Sequence, residues 1–149
     1  MSVQSISNLM PSKAYLDTIR NGGISVNHKG ETPPSTGFMV GGVEDDNKSY
    51  TIPFTDFDGF SFAFQQLLTR LSNLPETERE CMYVGTWLNE NFVDPLTHST
   101  ITIIELELSM HISSLERAMK LGKAFNQLYI YDLAEGKSIK VEKDVPQAQ

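Results

Sequence analysis

The stretch TITIIELELSM, residues 100–110, carries the most regular strand pattern of the chain. Its even positions from Ile104 to Met110 are apolar, whereas Glu105 and Glu107 occupy odd positions. Successive side chains of a strand point to opposite faces of the sheet. We therefore expect the even face to meet the core, and the odd face with both glutamates to point away from it.

The stretch CMYVGTWL, residues 81–88, is the nearest partner for this strand. It is rich in β-branched and aromatic residues, which favour strands. The intervening segment contains Asn89-Glu90-Asn91, which is typical of a turn. The two stretches are therefore predicted to pair as a long antiparallel hairpin.

Helical patterns precede and follow this hairpin. Apolar side chains between Phe57 and Leu71 recur at helical spacing after Asp56, a residue type that favours helix N-caps. Ser113 and Glu116 have the spacing of a capping box. Three helices are predicted, over Pro11–Arg20, from Thr55 or Asp56 to about Leu71, and from Ser114 to about Asn126.

The other strand-like segments are short. Two further hairpins are predicted, Ile24–His28 with Gly37–Val40 and Leu128–Leu133 with Ser138–Val141, and Tyr50–Phe54 is a brief extended piece. The order α-ββ-α-ββ-α-ββ predicts an α+β fold, in which three hairpins form a mainly antiparallel sheet and about three helices cover one face. The 149 residues fit a single domain over 1–149. Flexible ends are predicted at residues 1–10 and 143–149.

The composition indicates a soluble cytoplasmic protein. Cys81 is the only cysteine, which excludes an internal disulfide framework and a paired-cysteine zinc motif and favours a reducing compartment. The first residues lack the pattern of a secretory signal. No stretch approaches the roughly 18 to 20 consecutive apolar residues of a membrane-spanning helix. No membrane association is expected.

The charge of the chain is acidic and unevenly distributed. The net charge is −7, and residues 41–100 carry ten acids against Lys48, Arg70 and Arg79. An acidic surface repels phosphate backbones, so nucleic-acid binding is disfavoured. The same acidity also promotes solubility, and the sequence leaves open whether it has any other role.

Motifs that would carry catalysis or bind a cofactor do not occur. His28, His98 and His111 do not fall at metal-ligand spacing, and neither a phosphate-binding glycine loop nor a nucleophile elbow occurs. Glu105 and Glu107 are predicted to project from one strand face about 7 Å apart, a separation compatible with paired catalytic carboxylates. The solvated face of a one-sided sheet is the better explanation of the pair. We therefore expect no metal, no cofactor and no enzymatic activity.

Aromatic side chains are the more informative candidates for binding. Tyr83, Trp87, Tyr129 and Tyr131 all fall on predicted strands, and the first two have the same parity. Such residues belong either to the core or, if exposed, to a platform for a base, a peptide or another protein. The candidate binding residues are these four together with Glu105 and Glu107.

Four segments, NGGISVN, TGFMVGG, YVGTWLN and NQLYIYDLAEGKSIKV, follow one another in an order that resembles a group of small uncharacterised proteins encoded by phages and other mobile elements. The resemblance covers about residues 20 to 142, and it implies no particular activity. The main hypothesis is a non-enzymatic accessory protein that binds a protein partner or itself. The alternative is a protein that binds or sequesters a small molecule such as a nucleotide.

Overall fold

The computed structural model describes residues 3–43 and 49–142, with side chains from Met10 onward. The predicted flexible end at 143–149 lies outside these residues, as do residues 1 and 2 of the predicted flexible start. In chain order the elements are α1 (Val3–Asn21), β1 (Gly23–Val26), β2 (Phe38–Gly41), β3 (Ser49–Pro53), α2 (Phe57–Ser72), α3 (Glu76–Arg79), β4 (Met82–Val93), β5 (Thr100–Ile112), α4 (Leu115–Ala124), β6 (Tyr129–Asp132) and β7 (Lys137–Lys140).

All seven strands belong to one antiparallel sheet with β5 near its centre. The strand order is β1-β4-β5-β2-β6-β7, and β3 also pairs with β5. β2 lies opposite residues 109–112 of β5, and β3 lies opposite residues 103–107, so the two short strands follow one another along the same edge of β5. The predicted α+β fold with a mainly antiparallel sheet is confirmed.

The first two strands lie where the sequence predicts them but have other partners. β1 pairs with β4, and β2 pairs with β5 and β6, so they do not form a hairpin with each other. Residues 27–37 connect them past the ends of β4 and β5, a distance of about 14 Å at the usual strand spacing. That segment is long enough to span it at about 3.3 Å per extended residue. The predicted pairings β4–β5 and β6–β7 are confirmed.

The long hairpin turns later than its sequence predicts. β4 continues through Asn89-Glu90-Asn91 to Val93, and a one-residue register shift between Asn89 and Phe92 forms a β-bulge. Asn89 Oδ1 accepts a hydrogen bond from the Asn91 N–H over 2.9 Å. The polar triplet was wrongly predicted as a turn because turn-forming residues also suit a bulge, where the ladder is interrupted.

The even face of β5 is the core face, as predicted. Ile104, Leu106 and Leu108 pack with Val84 of β4 and with α1 and α2, whose buried side chains include Phe60 and Phe64. A second apolar cluster joins α4 to β2 and β6 through residues Val40, Ala118, Ile130 and Val141. The strand registers place Val40 and Ile130 on the same face as the even residues of β5. α1, α2 and α4 therefore cover one face of the sheet, which confirms that part of the prediction.

The helix ends show which sequence signals were decisive. Asp56 caps α2 as predicted, because its Oδ1 accepts a hydrogen bond from the Gly59 N–H over 2.9 Å. The cap of α4 is Ser114 instead of Ser113, since the Ser114 Oγ accepts from the Arg117 N–H over 3.3 Å. α1 begins at residue 3, well before the predicted Pro11. Within the described ranges, no helix combines the length and apolarity needed to cross a bilayer.

Two buried threonines tie α1 to β1 and β4. The Ile24 N–H donates to Thr86 Oγ1 over 3.1 Å, and Thr86 Oγ1 lies 2.6 Å from Thr18 Oγ1. Thr18 Oγ1 donates to the Ala14 carbonyl over 2.7 Å. The proton between the two hydroxyls is therefore supplied by Thr86. These three hydrogen bonds give the buried hydroxyl groups partners, without which their burial would cost free energy.

We expect Phe64→Ala to lower the free energy of unfolding by about 3 to 4 kcal/mol, because Phe64 is fully buried and stacked on Phe60. Phe62 lies on the same helix with 62% of its surface exposed. Phe62→Ala is the matched control and should change stability by less than about 0.5 kcal/mol. Urea unfolding monitored by circular dichroism measures both, and equal losses would contradict this assignment of the core.

Candidate functional site

All six candidate residues lie on the face of the sheet opposite α1, α2 and α4, which we call the helix-free face. On the β4–β5 ladder, Tyr83 lies opposite Ser109 and Trp87 opposite Glu105. Tyr131 of β6 lies opposite Met39, which in turn lies opposite His111 of β5. The six candidates are Tyr83, Trp87, Glu105, Glu107, Tyr129 and Tyr131.

The six residues do not form one cluster. Trp87 and Glu105 are direct neighbours across β4 and β5. Tyr129 and Tyr131 lie on β6, and β2 separates that strand from β5. At the usual strand spacing, β4 and β6 are about 14 Å apart. The two tyrosines of β6 therefore lie beyond the immediate neighbourhood of Trp87.

One end of the helix-free face is closed by the connection between β1 and β2. The Thr36 carbonyl lies 2.8 Å from His111 Nε2, and Tyr83 has only 6% of its surface exposed. Burial raises the pKa of Tyr83, with smaller contributions from Cys81 and from Glu31 in that connection. Tyr83 therefore lies in a covered part of the face and offers little surface to a ligand.

The other end of the face is open and apolar. Trp87 is 49% exposed there, and Ile101 is 37% exposed. The bulge in β4 brings Phe92 opposite Ile101. Ile103 lies on the same face opposite Asn89, but it is buried, with 2% of its surface exposed. We call the three accessible residues, Trp87, Phe92 and Ile101, the apolar strip.

Of the three residues of the strip, only Trp87 was identified from the sequence. The odd parity of Ile101 and Ile103, shared with Glu105, was a visible signal of their face. Phe92 gave no such signal, because the extra residue of the bulge reverses the alternation beyond it.

The Glu107 side chain lies beside two glycines of the neighbouring strands. Gly85 is directly opposite on β4, and a Cβ added at Gly41 of β2 would overlap the Glu107 carboxylate. The same Cβ would lie 3.6 Å from Gln127 Oε1. Burial, followed by the negative charge of Glu105, raises the pKa of Glu107 to about 7. This carboxyl group is therefore about half ionised near neutral pH.

Two other potentially reactive groups have shifted pKa values. Burial raises the pKa of the Cys81 thiol, and burial followed by Arg79 lowers the pKa of His28. No group of three or more His, Cys, Asp or Glu side chains within the described residues could hold a metal ion. An open groove of about 360 Å³ runs beside β4 and is lined by Trp87, Leu88, Asn89, Glu90 and Asn91.

The raised pKa of Glu107 predicts a pH-dependent stability. The unfolded chain titrates this group near 4.5 and the folded chain near 7. Between these values the folded state holds more protons, so the contribution of this group to stability is full below 4.5 and is lost as pH rises through about 7. With one pKa unit worth about 1.4 kcal/mol, Glu107→Gln should be more stable than the parent by about 2 to 3 kcal/mol at about pH 8.

Near pH 4.5 the parent and Glu107→Gln should be about equally stable, because both then carry a neutral side chain. Urea unfolding across this pH range measures the difference. Glu105→Gln is the companion variant, and it should reduce the pH dependence only in part, since burial remains the larger cause. A parent and a Glu107→Gln variant with parallel pH profiles would disprove the assignment.

The helix-free face thus combines a covered end around Tyr83, a partly buried carboxyl group at Glu107, and an open apolar end around Trp87 and Ile101. Its residues include an exposed indole and flanking carboxylates, which are suited to binding. Comparisons of the chain with protein-family models, curated proteins and solved structures find no match.

Proposed function

We propose that the chain is a non-enzymatic accessory protein that acts by binding a protein partner through the open end of its helix-free face. The observation that carries this proposal is the apolar strip, where Trp87, Phe92 and Ile101 share the face opposite α1, α2 and α4. Contiguous exposed apolar surface is characteristic of protein interaction sites. Tryptophan in particular is enriched among the residues that dominate binding energy at such sites.

The shape of the site supports a protein partner over a small molecule. Small-molecule sites bury most of the ligand surface in a concave cavity. The groove beside β4 is open, and the apolar strip lies on the sheet surface beside it. An open sheet face with an exposed aromatic residue is better suited to the broad contact that a protein surface provides.

The proposal includes an origin and a location for the protein. The resemblance of segments such as YVGTWLN to proteins of phages and other mobile elements supports an accessory role in such an element. The single cysteine supports a reducing compartment, and we place the protein in the cytoplasm on that basis.

A small aromatic ligand such as a nucleotide is the second candidate. The observation that favours it is the lining of the groove, in which Trp87 offers a stacking face and Asn89 and Asn91 offer amide groups. Nucleobases are commonly recognised by aromatic stacking and amide hydrogen bonds.

A photo-crosslinking amino acid at position 101 should trap one discrete protein in cells that produce the chain. The same amino acid at position 62, an exposed site on α2, is the control and should not trap it. With the trapped protein purified, Trp87→Ala should weaken binding at least about 30-fold, as expected for a central aromatic contact. Identical adducts from both positions would contradict the proposal. A nucleotide that raises the melting temperature of the parent but not of Trp87→Ala would favour the second candidate.

A further inference from the structure

The outer end of the β4–β5 hairpin, residues 89–101, is a separate structural feature that we call the arm. On one side, the Leu88 N–H of β4 donates to the carbonyl of Gly22, the residue before β1, over 2.8 Å. On the other side, the Phe54 N–H donates to the Thr102 carbonyl over 3.3 Å. Within the described part of the chain, the arm strands pair beyond these points only with each other. The arm therefore extends past the rest of the sheet.

From the arm we propose that the partner segment is positively charged and carries apolar side chains that contact the apolar strip and Leu96. This inference rests on the proposed function, because it specifies the chemistry of the partner that the helix-free face binds. Three independent features of the arm support it: the placement of its apolar side chains, the order of its tip, and its charge.

The bulge determines which side chains the arm presents. Residues 90 and 91 of β4 together span a single position of β5, so Phe92 pairs with Ile101 and joins the face of Trp87. Without the extra residue, the alternation of the strand would turn Phe92 toward the helix-covered face. β-Bulges commonly redirect side chains beside functional sites. The apolar strip thus depends on a local break in the ladder.

The tip of the arm presents a leucine on an ordered loop. Asp94 Oδ1 accepts a hydrogen bond from the Leu96 N–H over 2.9 Å, and Asp94 Oδ2 accepts from the Thr97 hydroxyl over 3.1 Å. The backbone closes the loop from the Asp94 N–H to the Ser99 carbonyl at 2.9 Å. Leu96 itself is 89% exposed. A loop that is already ordered loses less conformational entropy when its exposed side chain enters a partner.

All the formally charged side chains of the hairpin are acidic, which favours a positively charged partner. No lysine or arginine occurs between Arg79 and Arg117, whereas Glu90, Asp94 and Glu105 accompany the apolar side chains. Complementary charges around an apolar contact raise the association rate and suppress like-charged partners. A second copy of the chain bound through the same arm would bring like charges together, so we infer a basic partner segment and not self-association through this surface.

Strand addition to the outer edge of β4 is a poorer mode of binding than contact with the face. The bulge interrupts the edge, and the Asn91 N–H is already bonded to Asn89 Oδ1. The exposed Glu90 side chain lies on the same short segment. Bulges and charges are the devices by which natural sheets prevent pairing at their edges. The partner should therefore contact side chains of the face and tip.

Two synthetic peptides test the inference, with Trp87 as the intrinsic fluorophore because it is the only tryptophan. The peptide GKKLFKKLG should shift and change its emission at low ionic strength, and should bind at least about ten-fold more tightly than the charge-reversed GEELFEELG. Leu96→Ser and Ile101→Ser should each weaken binding about five- to ten-fold, and Phe62→Ser should leave it unchanged. Circular dichroism checks that each variant is folded.

Equal affinity for the two peptides, or equal affinity of parent, Leu96→Ser and Ile101→Ser for the basic peptide, would overturn the inference. A position-101 crosslink to a protein that persists under either result would leave the proposed function standing, so the two failures are distinguishable. Sedimentation velocity provides an additional test. A dimer of the parent that Ile101→Ser dissociates would replace the basic partner with a second copy of the chain.

Discussion

The structure depends on the pairing of β5 along both of its edges. β4 occupies one edge, and β2 and β3 share the other, so nearly the whole length of β5 lies within the sheet. Its even side chains form the apolar surface on which α1 and α2 pack. A slip of one residue in either ladder would move Ile104 and Leu106 to the opposite face, where no helix covers them. The apolar even face therefore fixes the register of four strands at once.

The same arrangement explains why only one end of the opposite face is available for binding. At the end near Tyr83, the connection between β1 and β2 must pass β4 and β5, and it contacts His111 on the way. At the other end, β1 and β3 stop before the hairpin does. The exposed apolar side chains begin where these neighbouring strands end. The fold thus accounts for the position of the apolar strip without reference to a ligand.

Local sequence patterns predicted the parts of the fold that local chemistry determines. The alternation in residues 100–110 gave the core face, and Asp56 gave the start of α2. The pairing of β1 with β4 was not predictable in this way, because it joins residues about sixty positions apart and no local signal encodes it. The bulge was also missed, since Asn89-Glu90-Asn91 suits a turn as well as it suits a bulge. That error concealed Phe92, whose face depends on the bulge.

The long-range pairing of the sheet has a consequence for synthesis of the chain. Among the strands that the structure describes, β1 pairs with β4 alone, β3 with β5 alone, and β2 with β5 and β6. While a ribosome has released only the residues before β4, none of the three strands already made has its partner. α1 and α2 can form at this stage, but the sheet cannot. The apolar side chains of α2 therefore have no strand surface on which to pack. Pairing in the sheet can therefore begin with β1 and β4 once β4 emerges, and β2 and β3 gain their partner only when β5 follows.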